Sequence, residues 1–323
     1  MMEDMTLTSL MEDFASEEKC RAYLEELRWP DGPECPRCVG PTTISRIASR
    51  SQYECDRCRY QFSVTAGTHI HDSHLSLWKW FLAVYVMCES RKGVTAKQLE
   101  RMLNVSYKTA WFLSRRIRNA MGDGEQPLLT GTADIDGTHA AAKRRGYGAG
   151  YNGNRVVIAG ALQRGGEIRL RLIPNSHRHR LEDFIESSVE DDPSIYTDEL
   201  ASHPAITAKG HETLTAKDEE WVRGKLQANT AESASSLLKR SVVGTYHHMS
   251  VKHLPAYLEE MEWRFNGQGN PYLFRDTLLI LLHSAALPYK LLVERDDAGE
   301  RQRENDALIR REAGRRARMS RTR

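Results

Sequence analysis

Three carboxylates in this 323-residue chain stand where phosphoryl-transfer chemistry could use them: Asp136 in TADIDGT, Asp198 in SIYTDEL and Glu232 in NTAESASSLLKR. Asp136 and Asp198 each close a short apolar run. Glu232 opens a helical stretch whose Lys239, seven residues on, returns to nearly the same face. Two strand ends and one helix can bring such acids together. Three acidic oxygen donors suit hard divalent cations such as Mg²⁺ or Mn²⁺, which keep open positions for water and phosphate oxygens. Two ions about 3.5–4 Å apart would clamp the attacking and leaving oxygens of an in-line displacement at phosphorus. Each acid also has a local reading without catalysis. Asp136-Gly137 suits a hairpin turn, Thr197-Asp198 can cap a following helix, and Asn229-x-x-Glu232 fits a capping box.

A second metal pattern precedes the acids. Cys35-Pro-Arg-Cys38 and Cys55-Asp-Arg-Cys58 are two CxxC knuckles separated by sixteen residues, the spacing of a zinc ribbon. Four thiolates complete a tetrahedral Zn²⁺ site and leave no open position, so this metal is structural and contributes folding free energy. Disulfides would suit a secreted chain, but the start, MMEDMTLTSLMEDF, lacks the basic flank and apolar run of a signal peptide. Cys20 and Cys88 fall outside the pattern, and Cys88 in LWKWFLAVYVMC is expected as a buried thiol. His69, His71 and His74 are expected in polar or phosphate contacts, because four cysteines already saturate zinc.

Arg37, Arg46, Arg50, Arg57 and Arg59, interleaved with Tyr53, Tyr60 and Phe62, give the ribbon an edge that could grip a phosphate backbone. Residues 75–122 read as helical: an apolar helix from about Leu77 to Cys88, then VTAKQLERMLNVSYKTAWFLSRRIRNAM. The latter has helix-turn-helix spacing, with a plain helical hairpin as the alternative. Leu99, Met102, Leu103, Val105, Ala110, Trp111 and Leu113 supply the core, and Asn104 marks the turn. Ser106 caps a recognition helix carrying Tyr107, Lys108 and Thr109. Arg115, Arg116 and Arg118 are expected to extend its basic face.

Net charge is only +2, but Lys143-Arg144-Arg145, the SHRHR run and the tail from Arg310 to Arg323 are locally basic, which suits polyanion binding. The apolar stretch TLLILLHSAALPYKLLV is broken by His283 and Pro288, so it reads as a core helix and not a membrane span. A location in the cytoplasm, associated with DNA, is expected. From about Leu128 the pattern turns to strands: TADIDG, RVVIAGALQ and EIRLRLIP as a meander, then helix LEDFIESSVE and strand SIYTD. Acids on the first and fourth strands and on a late helix describe an α/β ribonuclease-H-like fold, by analogy as well as by pattern. The Tyr246, His247, His248 cluster could be imagined as a covalent nucleophile with helpers, but that leaves the acids unexplained, so phosphate contact or packing is expected.

CRAYLEELRWPDGPECPRC, YQFSVTAGT, QLERMLNVSYKTAW, YTDEL and LLKRSVVGTYHHMSVKHLPAYLEEMEWRFN resemble the blocks of the zinc-ribbon DDE transposases of bacterial insertion sequences, sometimes called ISXO-like. The resemblance covers nearly the whole chain. It implies that Asp136, Asp198 and Glu232 bind two Mg²⁺ or Mn²⁺ ions, that Lys239 and neighbouring Arg240 contact DNA, and that Asn229 supports the third acid. It also implies double-stranded DNA partners, both terminal repeats and target, and at least a homodimer in the synaptic complex. The 34 residues from Asp198 to Glu232 fit the family's interval. Departures stand at Gly137, Gln227 and Ser235, where the family often has an acid, a His and an aromatic. The expected organisation is an N-terminal helical segment (1–30), zinc ribbon (31–68), helix-turn-helix-like region (69–125), DDE catalytic domain (126–293) and basic tail (294–323). Two rivals are a DNA-binding regulator or decayed copy without catalysis, and a structure-selective nuclease of the same fold.

Overall fold

The computed structural model describes residues 5–38, 40, 42–124, 126–141, 155–173, 178–190, 194–197, 211–213, 222–223, 226–227, 245–246 and 253–287. In chain order the elements are α1 (Leu7–Asp13), α2 (Glu17–Arg28), β1 (Ile44–Ile47), β2 (Gln52–Cys55), β3 (Gln61–Phe62), α3 (Leu77–Glu89), α4 (Ala96–Leu103) and α5 (Tyr107–Gly122). Then come β4 (Thr132–Ala141), β5 (Arg155–Gln163), β6 (Ile168–Ile173), α6 (Arg178–Ser188), β7 (Ser194–Thr197), β8 (His211–Thr213), the short β9 (Val222–Arg223) and β10 (Leu226–Gln227), α7 (Leu254–Asn266) and α8 (Leu273–His283). They form two compact units. One gathers the described residues of Met1–Gly124 and Gly267–Val293; the other gathers those of Glu125–Asn266.

In the first unit, α3 buries Leu77, Trp80, Phe81, Val84, Met87 and Cys88, an i, i+3, i+4 stripe wide enough to be covered on more than one side. Ser76 makes no side-chain cap for it. The carboxylate of Glu17, on α2, instead accepts the Leu77 N–H through both oxygens at 3.0 and 2.9 Å, and places negative charge at the positive helix end. Phe14 packs edge-on against Phe81 at 4.7 Å, and Phe81 against Phe274 of α8 at 5.7 Å. Helix α8 buries Phe274, Leu278, Leu281 and Leu282, each contributing roughly 1.5–3 kcal/mol of transfer free energy. The expected catalytic segment of 126–293 is therefore divided after Asn266. An apolar stripe says that a helix is buried, but not against what, and here the matching surface is on α2, α3 and α5.

Between α4 and α5 the expected chemistry holds at Asn104 and Ser106, and α4 begins with a cap that was not expected. Thr95 and Gln98 form a capping box at α4, Asn104 ends it in the left-handed region at φ 48°, and the Ser106 side chain accepts the Thr109 N–H at the start of α5. Leu99, Leu103, Ala110, Leu113 and Ile117 are buried. Met102 is not: it is 55% exposed. The core expectation fails there because an eight-residue helix touches its neighbours through a narrow i, i+4 seam, Leu99 and Leu103, which position 102 misses.

The second unit is built on a five-stranded sheet of order β6-β5-β4-β7-β8. β4, β5 and β6 form the expected antiparallel meander, whereas β7 runs parallel to β4 and β8 parallel to β7. One face buries Ala133, Ile135, Val157, Ala159, Ala161 and Ile173 under Phe184 and Ile185 of α6. On the other, Ile158 meets Leu254, Leu258 and Met261 of α7. The open edge of β6 is closed by side chains of α7. Asn266 accepts the Ile168 N–H at 2.8 Å and donates to the Ile168 carbonyl at 3.1 Å, and Glu262 accepts the Leu170 N–H at 3.0 Å. Backbone groups that would otherwise invite another strand are thereby paired.

Candidate metal centre and nucleic-acid-facing residues

The two knuckles come together at one end of the antiparallel β1-β2-β3 sheet. Cys55 closes β2, and Arg59, just past the second knuckle, turns the chain in the left-handed region at φ 58°. Its N–H donates to the Cys55 carbonyl at 2.7 Å. The four sulfurs lie within 4.8 Å of one another, with Cys35 and Cys58 3.6 Å apart and Cys38 and Cys55 3.9 Å apart. A tetrahedral ion with Zn–S bonds of about 2.3 Å requires sulfur separations near 3.8 Å, so the donor set fits. The Cys55 thiol is lowered to about 6, first by the backbone N–H of Cys58 and, against the effect of burial, by that of Arg57. Cys38 is raised to about 12, chiefly by sharing a proton with Cys58. Four thiols this close compete for protons, and a dication would favour thiolate on all of them.

The histidines stay out of this centre, as expected. His69 is buried, with Nε2 3.5 Å from Asn119 and 3.8 Å from Asp123, and burial lowers its pKa. His71 faces Asp72 at 3.6 Å. Trp29 packs edge-on against Tyr53 and Phe62, and the Tyr53 hydroxyl donates to Glu25 at 2.9 Å, fastening the ribbon to the end of α2. Cys20 and Cys88 are buried and separate from the cluster.

Of the three sequence-derived acids, only Asp136 falls within the described backbone. It pairs with Gly160 in the middle of β4, which continues to Ala141, so the Asp136-Gly137 turn reading does not hold. β7 is last described at Thr197, opposite Ile135. Asp198, Asn229, Glu232, Lys239 and Arg240 lie outside the described residues.

Two residues before Asp136, Asp134 is 5% exposed and gripped by Arg164, which donates from Nε at 3.3 Å and from a terminal nitrogen at 3.1 Å. A forked guanidinium offsets much of the cost of burying that carboxylate. On α7, Glu260 is fully buried; it accepts the Tyr246 hydroxyl through both oxygens at 3.1 Å and pairs with Arg264 at 2.9 Å. Tyr246 also packs on Tyr257 at 4.6 Å, which is the packing role expected of it and leaves its hydroxyl engaged. Burial raises Glu262 to about 7; Arg169 opposes this from 3.7 Å, too far to share a proton. Apart from Glu260–Arg264, an i,i+4 pair within α7, no spacing rule announced these pairs, because their partners are 14 to 93 residues away.

The basic residues divide by exposure. Arg37, Arg46, Arg50, Arg57 and Arg59 are all exposed on the ribbon, with Arg37 lying 3.6 Å over the Tyr60 ring. Lys108 is exposed on the first turn of α5. Arg118 is not on an open face: it is 2% exposed and donates to the Val94 carbonyl at 2.9 Å and to Ser114 at 3.2 Å. Arg115 is 8% exposed, and half-buried Arg116 donates to the His71 carbonyl at 3.1 Å. The triplet lies on the side of α5 that meets the unit's core, where long side chains are drawn inward.

Residues 15–61 match the transposase zinc-ribbon domain, and residues 128–266 match the ISXO2-like transposase domain. Both matches are to domains of insertion-sequence transposases. The chain is also 27% identical over 273 residues to the "Uncharacterized protein in transposable element ISH50" of Halobacterium salinarum, covering 78% of this chain and 91% of that one. The zinc-ribbon match contains all four clustered cysteines, and the second match ends at Asn266, where the described part of the second compact unit also ends. Among the described residues no helix is long and apolar enough to cross a membrane.

Proposed function

We propose that this chain binds the ends of an insertion element, nicks them to expose a 3′-hydroxyl and joins that hydroxyl to target DNA, with Asp136, Asp198 and Glu232 as the metal-holding acids. The observation that carries the reading is the parallel register of β4 and β7. Thr197 stands opposite Ile135, and the residues that follow these two in the sequence are Asp198 and Asp136. Adjacent strands run about 4.8 Å apart, close enough for two carboxylates to share an ion pair. The strand order β6-β5-β4-β7-β8, with the first three antiparallel and the rest parallel, supports a ribonuclease-H-like description.

When bound, Mg²⁺ or Mn²⁺ supplies activation of the attacking oxygen and charge neutralisation at the leaving 3′-oxygen. The acids hold the ions, Lys239 and Arg240 steady the DNA phosphates nearby, and Asn229 orders the segment that carries Glu232. The exposed ribbon arginines and the α4–α5 pair, read as a helix-turn-helix, hold the element end. Lys108 is the residue on α5 best placed for phosphate; Arg115 and Arg116, drawn toward the core, are not assigned a DNA contact. At least two chains work together, because two ends must be synapsed.

Purified wild-type and Glu232→Gln protein, incubated with labelled DNA from the gene's flanks and Mn²⁺, should differ completely on a denaturing gel. Wild type yields nicked and joined strands, and the variant binds ends but yields neither. Binding without cleavage by both proteins would mark a regulator or a decayed copy. Cutting without joining or end preference would mark a nuclease.

A further inference from the structure

The described residues hold five large apolar side chains that stand well exposed, and two of them, Met102 at 55% and Tyr107 at 51%, flank the short turn between α4 and α5. Neither is required by the core, which is satisfied there by Leu99, Leu103 and Ala110. Exposed apolar groups this close in the chain cost solvation unless something covers them in the working state. The surroundings define the covering surface by charge: Arg91, Lys92, Lys97, Arg101 and Lys108 are all exposed, and the acid among them from 91 to 108, Glu100, is paired with Lys97 at 2.6 Å.

Tyr107 is also held rather than loose. It is the first residue of α5, fixed in place by the Ser106 cap, and the Lys97 ammonium sits 5.7 Å from its ring centre. An ordered aromatic at the start of a helix, with one cation near its ring and further exposed basic residues close in the chain, suits the floor of a DNA major groove. There the one apolar group on a base edge is the thymine 5-methyl. Resting on the helix-turn-helix reading above, we propose that Tyr107, together with Met102, reads thymine methyl groups in the major groove of the element end, and so sets sequence preference where the surrounding lysines and arginines set only affinity.

Replacing thymine by uracil one position at a time in a terminal-repeat duplex removes a single methyl and leaves every hydrogen-bonding group in place. Full-length wild-type protein should lose about fourfold in affinity at one or two thymines, the effect of exposing one buried carbon. Tyr107→Ala should bind the natural duplex about tenfold more weakly, in the range of one lost base contact. It should show no further loss at those same positions. Tyr107→Phe should keep the uracil sensitivity, because the ring rather than the hydroxyl makes the contact. Thermal melting checks that both variants fold, as expected for a half-exposed side chain. Specific end binding with no uracil-sensitive position, or with the same sensitivity kept by Tyr107→Ala, overturns this assignment and leaves the DNA-binding reading standing. Equal binding of terminal and random duplexes by wild type removes both.

Discussion

The two units solve the burial of charge in opposite ways. Among the described residues every carboxylate less than 9% exposed, Asp134, Glu260 and Glu262, belongs to the sheet unit, and each meets an arginine from elsewhere in that unit or one turn away. The helical unit buries Arg115, Arg118 and His69 but no acid, and its most concentrated potential charge is the four-cysteine cluster. A ribbon of three short strands is too small to bury a core of its own, so a metal must supply what packing cannot. The sheet has apolar layers on both faces, and can carry buried ion pairs at the edge and beside the acid-bearing strand because the layers already hold it together. Stress should therefore separate the units: metal removal acts on one, and proton or ion-pair loss on the other.

The largest expected effect is on the ribbon. Structural zinc contributes about 10–16 kcal/mol of apparent folding free energy in isolated zinc-finger peptides. Native mass spectrometry should find one zinc per chain, and Cys55→Ser should lose it together with the near-ultraviolet dichroism of the Trp29, Tyr53 and Phe62 cluster. An unaltered spectrum in a metal-free variant would break the contrast at its strongest point. Next is Glu260→Ala, which removes the buried carboxylate that pairs with Arg264 and accepts from the Tyr246 hydroxyl. It should cost about 3–5 kcal/mol in urea unfolding while leaving zinc content unchanged. A loss under about 1 kcal/mol would place the network among weak surface pairs.

The smallest effect concerns pH. Glu262 has a folded-state pKa of about 7, above its ordinary 4.5, so the folded protein holds this proton more tightly than the unfolded chain. The stability it contributes is whole below about 4.5 and is lost as pH rises through about 7, a change of about 3 kcal/mol. Glu262→Gln mimics the protonated form and keeps the bond to the Leu170 N–H. It should flatten the melting profile between pH 5 and pH 8 and raise stability at about pH 8, as differential scanning calorimetry would record. An unchanged slope would show that Arg169, and not burial, governs this carboxyl.

Legibility also divided by unit. The zinc centre could be read in full, because CxxC knuckles are local and a tetrahedral ion dictates how two of them must meet. The α4–α5 pair was nearly as open: Asn104 and Ser106 stop and cap helices through bonds within three or four residues, although the Thr95 cap of α4 was not read. The strand meander and the strand ending at Thr197 followed from alternation and turn residues. What failed was the direction of individual side chains. Met102 and Arg118 sit in two helices whose period was read correctly, yet one turned out and the other in, because a period gives a face only to within a turn and the neighbours decide where the seam lies.

By itself, then, the sequence determined the four clustered cysteines, the helix boundaries around Asn104, the three-strand meander with the strand that follows α6, and the candidates Asp136, Asp198 and Glu232, since each depends on residue type or on short spacing. Only the tertiary structure decided that α8 packs with the N-terminal helices, that Glu17 caps α3, that α7 closes the edge of β6 through Glu262 and Asn266, and that Thr197 stands opposite Ile135. Those contacts join residues 60 to about 260 positions apart, and an apolar stripe or an isolated carboxylate carries no record of its distant partner. Their pairing is settled by which surfaces exclude water together once the chain has folded.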